Sequence, residues 1–321
     1  MAGRAAGKVI LLGEHAVVYG VPALAVGIER GAAATARALP ADATRSEFYL
    51  EGLDVPFFDR DDDRDLGRAF RAILDATLGP SRAPVRVDAT TELPPGAGLG
   101  CSAAFGVAIA RALDPSAAID AVRERAMAWE RVFHGNPSGV DTAVSAQGGF
   151  VYFQRGAPLE PLAVRGGLEL CIGHSGAASS TKAMVESVAR LRERKPEMVE
   201  KAWEGIRALV KNARLALEAD DKVGLGRLMD LNQMILSGLF LSSPEIERLC
   251  TSAREAGALG AKLTGAGGGG CVVALVPNQL VAGRVLASWR AAGFEGFATR
   301  AGATDGPIAL GEVSRVAEVA Q

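Results

Sequence analysis

The stretch Leu93-Pro94-Pro95-Gly96-Ala97-Gly98-Leu99-Gly100-Cys101-Ser102-Ala103-Ala104 crowds glycines 96, 98 and 100 between two regular patterns. Glycine at that density weakens either a helix or a strand, so the chain must turn here. Before it, Val85 to Thr90 alternates like a half-buried strand. After it, Phe105, Val107, Ile109 and Leu113 lie among alanines, a pattern that predicts an apolar helix of about three turns. Strand, glycine loop and helix N-terminus together make an anion site. Glycines let backbone N–H groups approach a phosphate closely, and the helix dipole favours negative charge there. Ser102, at the helix start, can cap the helix or offer its hydroxyl to a phosphate-bound metal. A tight turn with a capping serine explains the same residues, so the rest of the chain has to decide.

The chain has 321 residues, 49% of them hydrophobic and 22% charged, enough for a sizeable core and for two ordinary domains. A formal net charge of −2 argues against general nucleic-acid binding and against an anionic membrane surface. No apolar run reaches the roughly 18 residues of a membrane span, and no signal-like apolar core opens the chain. Cys101, Cys171, Cys250 and Cys271 form no close pair, and His15, His134 and His174 show no metal-ligand spacing. Reduced thiols in a cytoplasmic protein without zinc are therefore expected.

In chain order, Lys8 to Leu12 reads as a buried strand with a cation at its mouth, broken by Gly13-Glu14-His15 and resumed at Ala16 to Gly20. Such polar residues against an apolar run suit the wall of a site, although a lone strand-end lysine is ordinarily a snorkelling surface group. Strands are expected over Ala23 to Ile28, Ala32 to Arg37 and Phe48 to Leu53. The run Asp59 to Asp65, interleaved with arginines, reads as a solvated acidic face that stabilises the following helix rather than a metal site. That helix carries Leu66, Phe70, Ile73, Leu74 and Leu78, and Gly79-Pro80 stops it. Ile119, Val122, Ala126, Trp129 and Phe133 mark another helix, with Glu130 in its last turn. A carboxylate there opposes the dipole and calls for a counter-cation. Asn136-Pro137 reads as cap and first residue of a short helix, which puts Asp141 where an ionised carboxylate is favoured. Strands follow at Phe150 to Phe153 and Leu168 to Gly173, with a domain boundary near Arg165-Gly166-Gly167. From Ser179 the chain is helical, with breaks near Pro196, Ala219-Asp220 and Ser243-Pro244. Lys262 to Val276 is a second glycine loop feeding a strand, followed by a helix over Gln279 to Ala292 and a strand near Phe297.

Three segments stand out together: Lys8 to Gly20, Pro94 to Ala104, and Lys262 to Cys271. With His134-Gly135-Asn136-Pro137-Ser138-Gly139-Val140-Asp141 they resemble the mevalonate kinases, within the kinase superfamily that also holds galactokinase, homoserine kinase and phosphomevalonate kinase. The resemblance covers most of the chain, including Asp230-Leu231-Asn232-Gln233. It implies an α+β, two-domain small-molecule kinase fold of the galactokinase/homoserine/mevalonate kinase type. Residues 1–166 would form the nucleotide-binding domain with the phosphate loop, residues 167–321 a C-terminal α/β domain, and the active site would lie between them. It further implies ATP-dependent phosphorylation of the primary hydroxyl of mevalonate, with ATP and Mg²⁺ as cofactors, no nucleic-acid or membrane partner, and a homodimer as an open option.

Residue by residue, the resemblance makes Asp141 the catalytic aspartate and Lys8 the lysine beside it. The loop Pro95, Gly96, Ala97, Gly98, Leu99, Gly100, Cys101 and Ser102 would wrap the nucleotide phosphates, and Ser102 and Glu130 would hold Mg²⁺. Glu14, His15, Ser138, Thr181 and Ala266 would line the substrate side, while Thr264 to Gly270 would support the phosphate site. Phosphoryl transfer needs positioning and charge neutralisation more than covalent help, and these residue types supply both. Neither a Walker A lysine motif nor the protein-kinase signature set is present. Cys101 and Tyr19 depart from the usual family pattern. The stretch 41–65, where adenine contacts are expected, is short and matches no family segment, so the adenine-binding residues are unassigned. At a helix N-terminus the Cys101 thiol is expected to have a lowered pKa, unless it merely fills a gap in the turn. A kinase of another small hydroxylated acid, and a non-catalytic nucleotide or metabolite sensor on the same fold, are the competing readings.

Overall fold

A computed structural model describes residues 1–302 except 95, 136, 165, 178 and 179. Its first half runs β1 (Ala2–Leu12), a short 3-10 turn (Ala16–Tyr19), β2 (Ala23–Ala38), β3 (Glu47–Leu50), β4 (Phe57–Phe58), α1 (Asp65–Leu78), β5 (Val85–Thr91), α2 (Cys101–Leu113), α3 (Ile119–His134), α4 (Val140–Gln147), β6 (Phe150–Phe153) and β7 (Glu160–Leu162). The second half runs β8 (Leu168–His174), α5 (Thr181–Arg194), α6 (Pro196–Glu218), α7 (Lys222–Gly238), α8 (Pro244–Glu255), β9 (Gly260–Thr264), β10 (Cys271–Val276), α9 (Gln279–Ala291) and β11 (Glu295–Ala301). Among the described residues, no helix is long and apolar enough to cross a membrane.

The strands form one mixed sheet in the order β4-β3-β5-β2-β11-β8-β10-β9, with β1 and β6 also paired to β2. Pairing of β3 with β5 is parallel. Strand β2 is the trunk. Ala23–Val26 pair with β6, Ala32–Ala38 pair with β5, and Ile28 meets Ala301 of β11. Helix α2 lies on β1 and β2 and against α3. Its residues are buried almost all round, which is why its sequence is apolar on every face rather than striped. Small residues bring it close to the sheet: a Cβ on Gly3 would sit 2.2 Å from the Ala108 carbonyl oxygen. In the second half, α8 and α9 pack together and cover strands β8 to β11.

Three expectations change. The two strands expected over 23–37 are one strand, because Glu29, Arg30 and Gly31 stay extended through a bulge in which Glu29 and Arg30 fall between the partners of Gly7 and Ala6 in β1. The short helix begins at Val140 rather than Pro137, with Gly139 (φ 86°) as its N-cap, and Asn136 lies outside the described residues. Finally, the acidic run is only partly solvated, since Asp59 and Asp62 are buried. Asp59 accepts from the Ser46 amide at 2.8 Å and from Arg82 at 2.9 Å. Asp62 accepts from the Phe58 amide at 3.0 Å and from Arg64. Both tie the β3–α1 connection together, so part of the acidity is structural.

Candidate active site

Lys8 is not a snorkelling surface residue. It is buried, and its ammonium meets Asp141 Oδ1 at 2.9 Å. Two elements fix it. The Lys8 amide donates to the Leu99 carbonyl at 2.9 Å, which places the glycine loop directly over the strand. Gly100, at φ 73°, caps α2 from the left-handed region, where a Cβ would come within 2.7 Å of Lys8 Cγ. Glycine is needed there on both counts. Asp141 stands in the first turn of α4, half-exposed, so its carboxylate is held by Lys8 on one side and open on the other.

Beside this pair, Ser102 Oγ donates to Glu130 Oε1. Trp129 Nε1 donates to Ser102 Oγ at 3.2 Å, which fixes the hydroxyl rotor. Ser102 therefore bonds across to α3 instead of capping α2. Glu130 is only 2% exposed. Burial pushes its carboxyl up to about 7, against the Ser102 hydrogen bond, and the neighbouring Asp141 adds to the rise. His134 Nε2 lies 3.8 Å from Glu130 Oε2, and burial lowers its pKa. A hydroxyl and a buried carboxylate beside a phosphate-type loop form a hard-oxygen pair, here hydrogen-bonded to each other. Among the described residues no cluster of three or more acidic, His or Cys side chains could hold a metal alone. Two protein oxygens suit Mg²⁺, which keeps waters and substrate phosphates as its other ligands.

The second glycine loop reaches the first. A Cβ on Gly265 would be 2.9 Å from Gly98 Cα, so the loops touch backbone to backbone. Thr264 Oγ1 accepts from the Ile10 amide at 3.1 Å, and His15 Nε2 bonds the Ala266 carbonyl oxygen at 2.7 Å. Glu14 is buried and paired with the fully buried Lys262. It also accepts from Asn232 Nδ2 at 3.2 Å. Next to it, the Leu263 amide donates to Gln233 Oε1 at 2.9 Å. Burial raises the Glu14 pKa and lowers that of Lys262, while their mutual attraction opposes both shifts. The signal that Lys262 has a partner was its place in the otherwise apolar Gly260-Ala261-Lys262-Leu263.

A cavity of about 320 Å³ opens between α3 and α4 on one wall and α5 on the other. Glu130, His134, Ser138 and Asp141 lie on the first wall, Thr181 and Lys182 on the second. Glu14, His15 and Ala266 do not line it. Val18, from the Lys8 to Gly20 segment, does, and so do Met127, Lys182 and Val185, which no local motif singled out. Pro95 lies outside the described residues. The Cys101 thiol turns toward Thr91 Oγ1 (3.8 Å) and the Leu93 carbonyl (3.9 Å), and burial raises its pKa. It fills the turn, contrary to the expectation of a lowered thiol pKa.

Residues 66–149 match the family model of the GHMP kinases N terminal domain, and residues 213–295 match that of the GHMP kinases C terminal. Fold and paired glycine loops thus define a small-molecule kinase of the GHMP class. The mevalonate kinase of Pyrococcus horikoshii is 37% identical over 294 residues, covering 85% of this chain and 87% of the relative. The L. major mevalonate kinase, solved in complex with R-mevalonate, is 26% identical with a TM-score of 0.80, covering 94% of this chain and 95% of that one. Lactococcus lactis galactokinase, complexed with galactose, shares the fold at a TM-score of 0.75 and 17% identity, covering 94% and 93% of the two chains. The chain belongs to the mevalonate kinase family of GHMP kinases.

Proposed function

We propose that this chain transfers the terminal phosphoryl group of ATP to the primary hydroxyl of mevalonate, giving 5-phosphomevalonate and ADP on the mevalonate route to isoprenoids. The observation that carries this reading is the Lys8–Asp141 pair, which lies under the phosphate-type loop and presents one carboxylate to a cavity of small-molecule size. Asp141 orients the acceptor hydroxyl and takes its proton as the oxygen attacks phosphorus and the bond to the bridging oxygen breaks. Lys8 holds that carboxylate in register and lends positive charge to the transferring oxygens. The backbone from Gly96 to Ser102, with the α2 N-terminus, wraps the phosphates. Ser102 and Glu130 are the residues that would hold Mg²⁺, which when bound neutralises phosphate charge.

Ser138 and Thr181 serve the acceptor side, while Glu14, His15 and Ala266 support it by locking the two glycine loops together. Residues 1–166 act as the nucleotide-binding unit and 167–321 as the C-terminal unit. Unpaired cysteines fit a reducing, cytoplasmic setting. The test is coupled ADP release with mevalonate against a panel of small hydroxy acids. Mevalonate should be strongly preferred. Turnover with another acid and none with mevalonate would refute the assignment.

A further inference from the structure

An acceptor that carries a carboxylate must bring its charge into a cavity already lined by Glu130, Asp141 and Glu186. We infer that Lys182 recognises that carboxylate and thereby sets the enzyme's preference for an anionic acceptor. Among the described lining residues Lys182 is the one lysine or arginine. Lys182 is exposed and makes no hydrogen bond or ion pair with any described residue. Glu186, one helical turn further on, is the natural i,i+4 partner, but its carboxylate turns along the helix to Arg190 at 3.9 Å.

Helix stability does not account for this lysine. It stands in the first turn of α5, where the dipole opposes a cation, whereas Arg192 and Arg194 occupy the favourable last turn. Asp141 lines the cavity from α4 and Lys182 lines it from α5. An acceptor with a hydroxyl at one end and a carboxylate at the other would engage both, with its methyl and methylene groups beside the apolar lining residues Val18, Met127 and Val185. Arg155 belongs to the adjoining cavity beyond Ser138 and Gly139, where it donates to the Val18 carbonyl oxygen at 3.5 Å.

This inference rests on the mevalonate reading. Its test pairs Lys182→Met, Lys182→Arg and Arg155→Met with mevalonate and with the uncharged carboxamide of mevalonate. Loss of one charge-assisted contact in a uniformly bound state should raise the mevalonate KM of Lys182→Met roughly 10-fold, with kcat and the ATP KM held. Lys182→Arg should restore most of the loss. Wild-type enzyme should favour the acid over the amide, and Lys182→Met should lose that discrimination. An unchanged mevalonate KM in Lys182→Met, retained discrimination, a parallel rise in ATP KM, or the whole effect appearing in Arg155→Met would each overturn the role of Lys182. Absence of mevalonate-dependent turnover in the wild type would instead overturn the functional reading beneath it.

Discussion

Replacing Lys262 with Met removes the ammonium from an ion pair whose two side chains are both fully buried. Glu14 would keep its hydrogen bond from Asn232 Nδ2, too little to hold a buried charge. The cost has a ceiling, because the carboxylate can take a proton instead. From an ordinary value of 4.5, protonation at pH 7 costs about 3.4 kcal/mol, at 1.36 kcal/mol per unit. The lost hydrogen bond from Lys262 to the Leu263 carbonyl adds about 1 kcal/mol. The total, about 4 kcal/mol, lies in the range for breaking one side of a buried pair. At pH 5 protonation costs only about 0.7 kcal/mol, so the loss should shrink to about 2 kcal/mol. The sign follows from linkage. In the variant the folded state holds the Glu14 proton more tightly than the unfolded chain, so stability falls as pH rises above 4.5. Urea unfolding of wild type and variant at pH 5 and pH 7, with linear extrapolation, measures both numbers. The double variant Glu14→Gln, Lys262→Met should recover most of the loss, since no charge is left stranded. An equal loss at both pH values, or a double variant no more stable than the single one, would refute the reasoning.

Asp141→Asn should fold normally and lose roughly 10²–10⁴ in kcat, the range for a positioned acid–base group; single-turnover phosphorylation beside a melting curve checks it, and turnover within about threefold of wild type would remove Asp141 from the mechanism. Glu130, with its pKa raised from 4.5 to about 7 in the folded state, binds its proton more tightly there than in the unfolded chain. Nucleotide-free protein should therefore lose stability between pH 4.5 and 7, by on the order of 3 kcal/mol from this group; Glu130→Gln should flatten that slope in thermal melts, and an unchanged slope would count against the burial argument. Iodoacetamide should inactivate the enzyme slowly, and Cys101→Ser at a similar rate, because burial raises the Cys101 pKa. Rapid inactivation abolished by Cys101→Ser would show that the field at the α2 N-terminus outweighs burial.

Local sequence determined the elements whose cause is local. The helix over Asp65–Leu78 with its glycine stop, the all-apolar α2 behind a glycine loop, and the helical breaks at Pro196 and Pro244 follow from periodicity, capping and turn chemistry within a few residues. So does the turn at glycines 96, 98 and 100, because glycine at that density ends both strand and helix; the choice between a capped turn and a phosphate loop needed the other segments of the chain. What depends on distant partners was not legible. No residue pattern around Lys8 indicates that a helix more than a hundred residues later brings Asp141 to it; the family resemblance pairs them, and the fold turns a nominal surface lysine into a buried one. Cys101 looks activated by its place at a helix start, yet the turn it sits in folds its thiol inward against Thr91 and Leu93. The burial of Glu14 likewise comes from β9 and α7, which supply Lys262 and Asn232 to enclose it. Helix and strand are written in patterns of two to four residues, whereas the burial and charge of a side chain belong to whatever the fold packs against it.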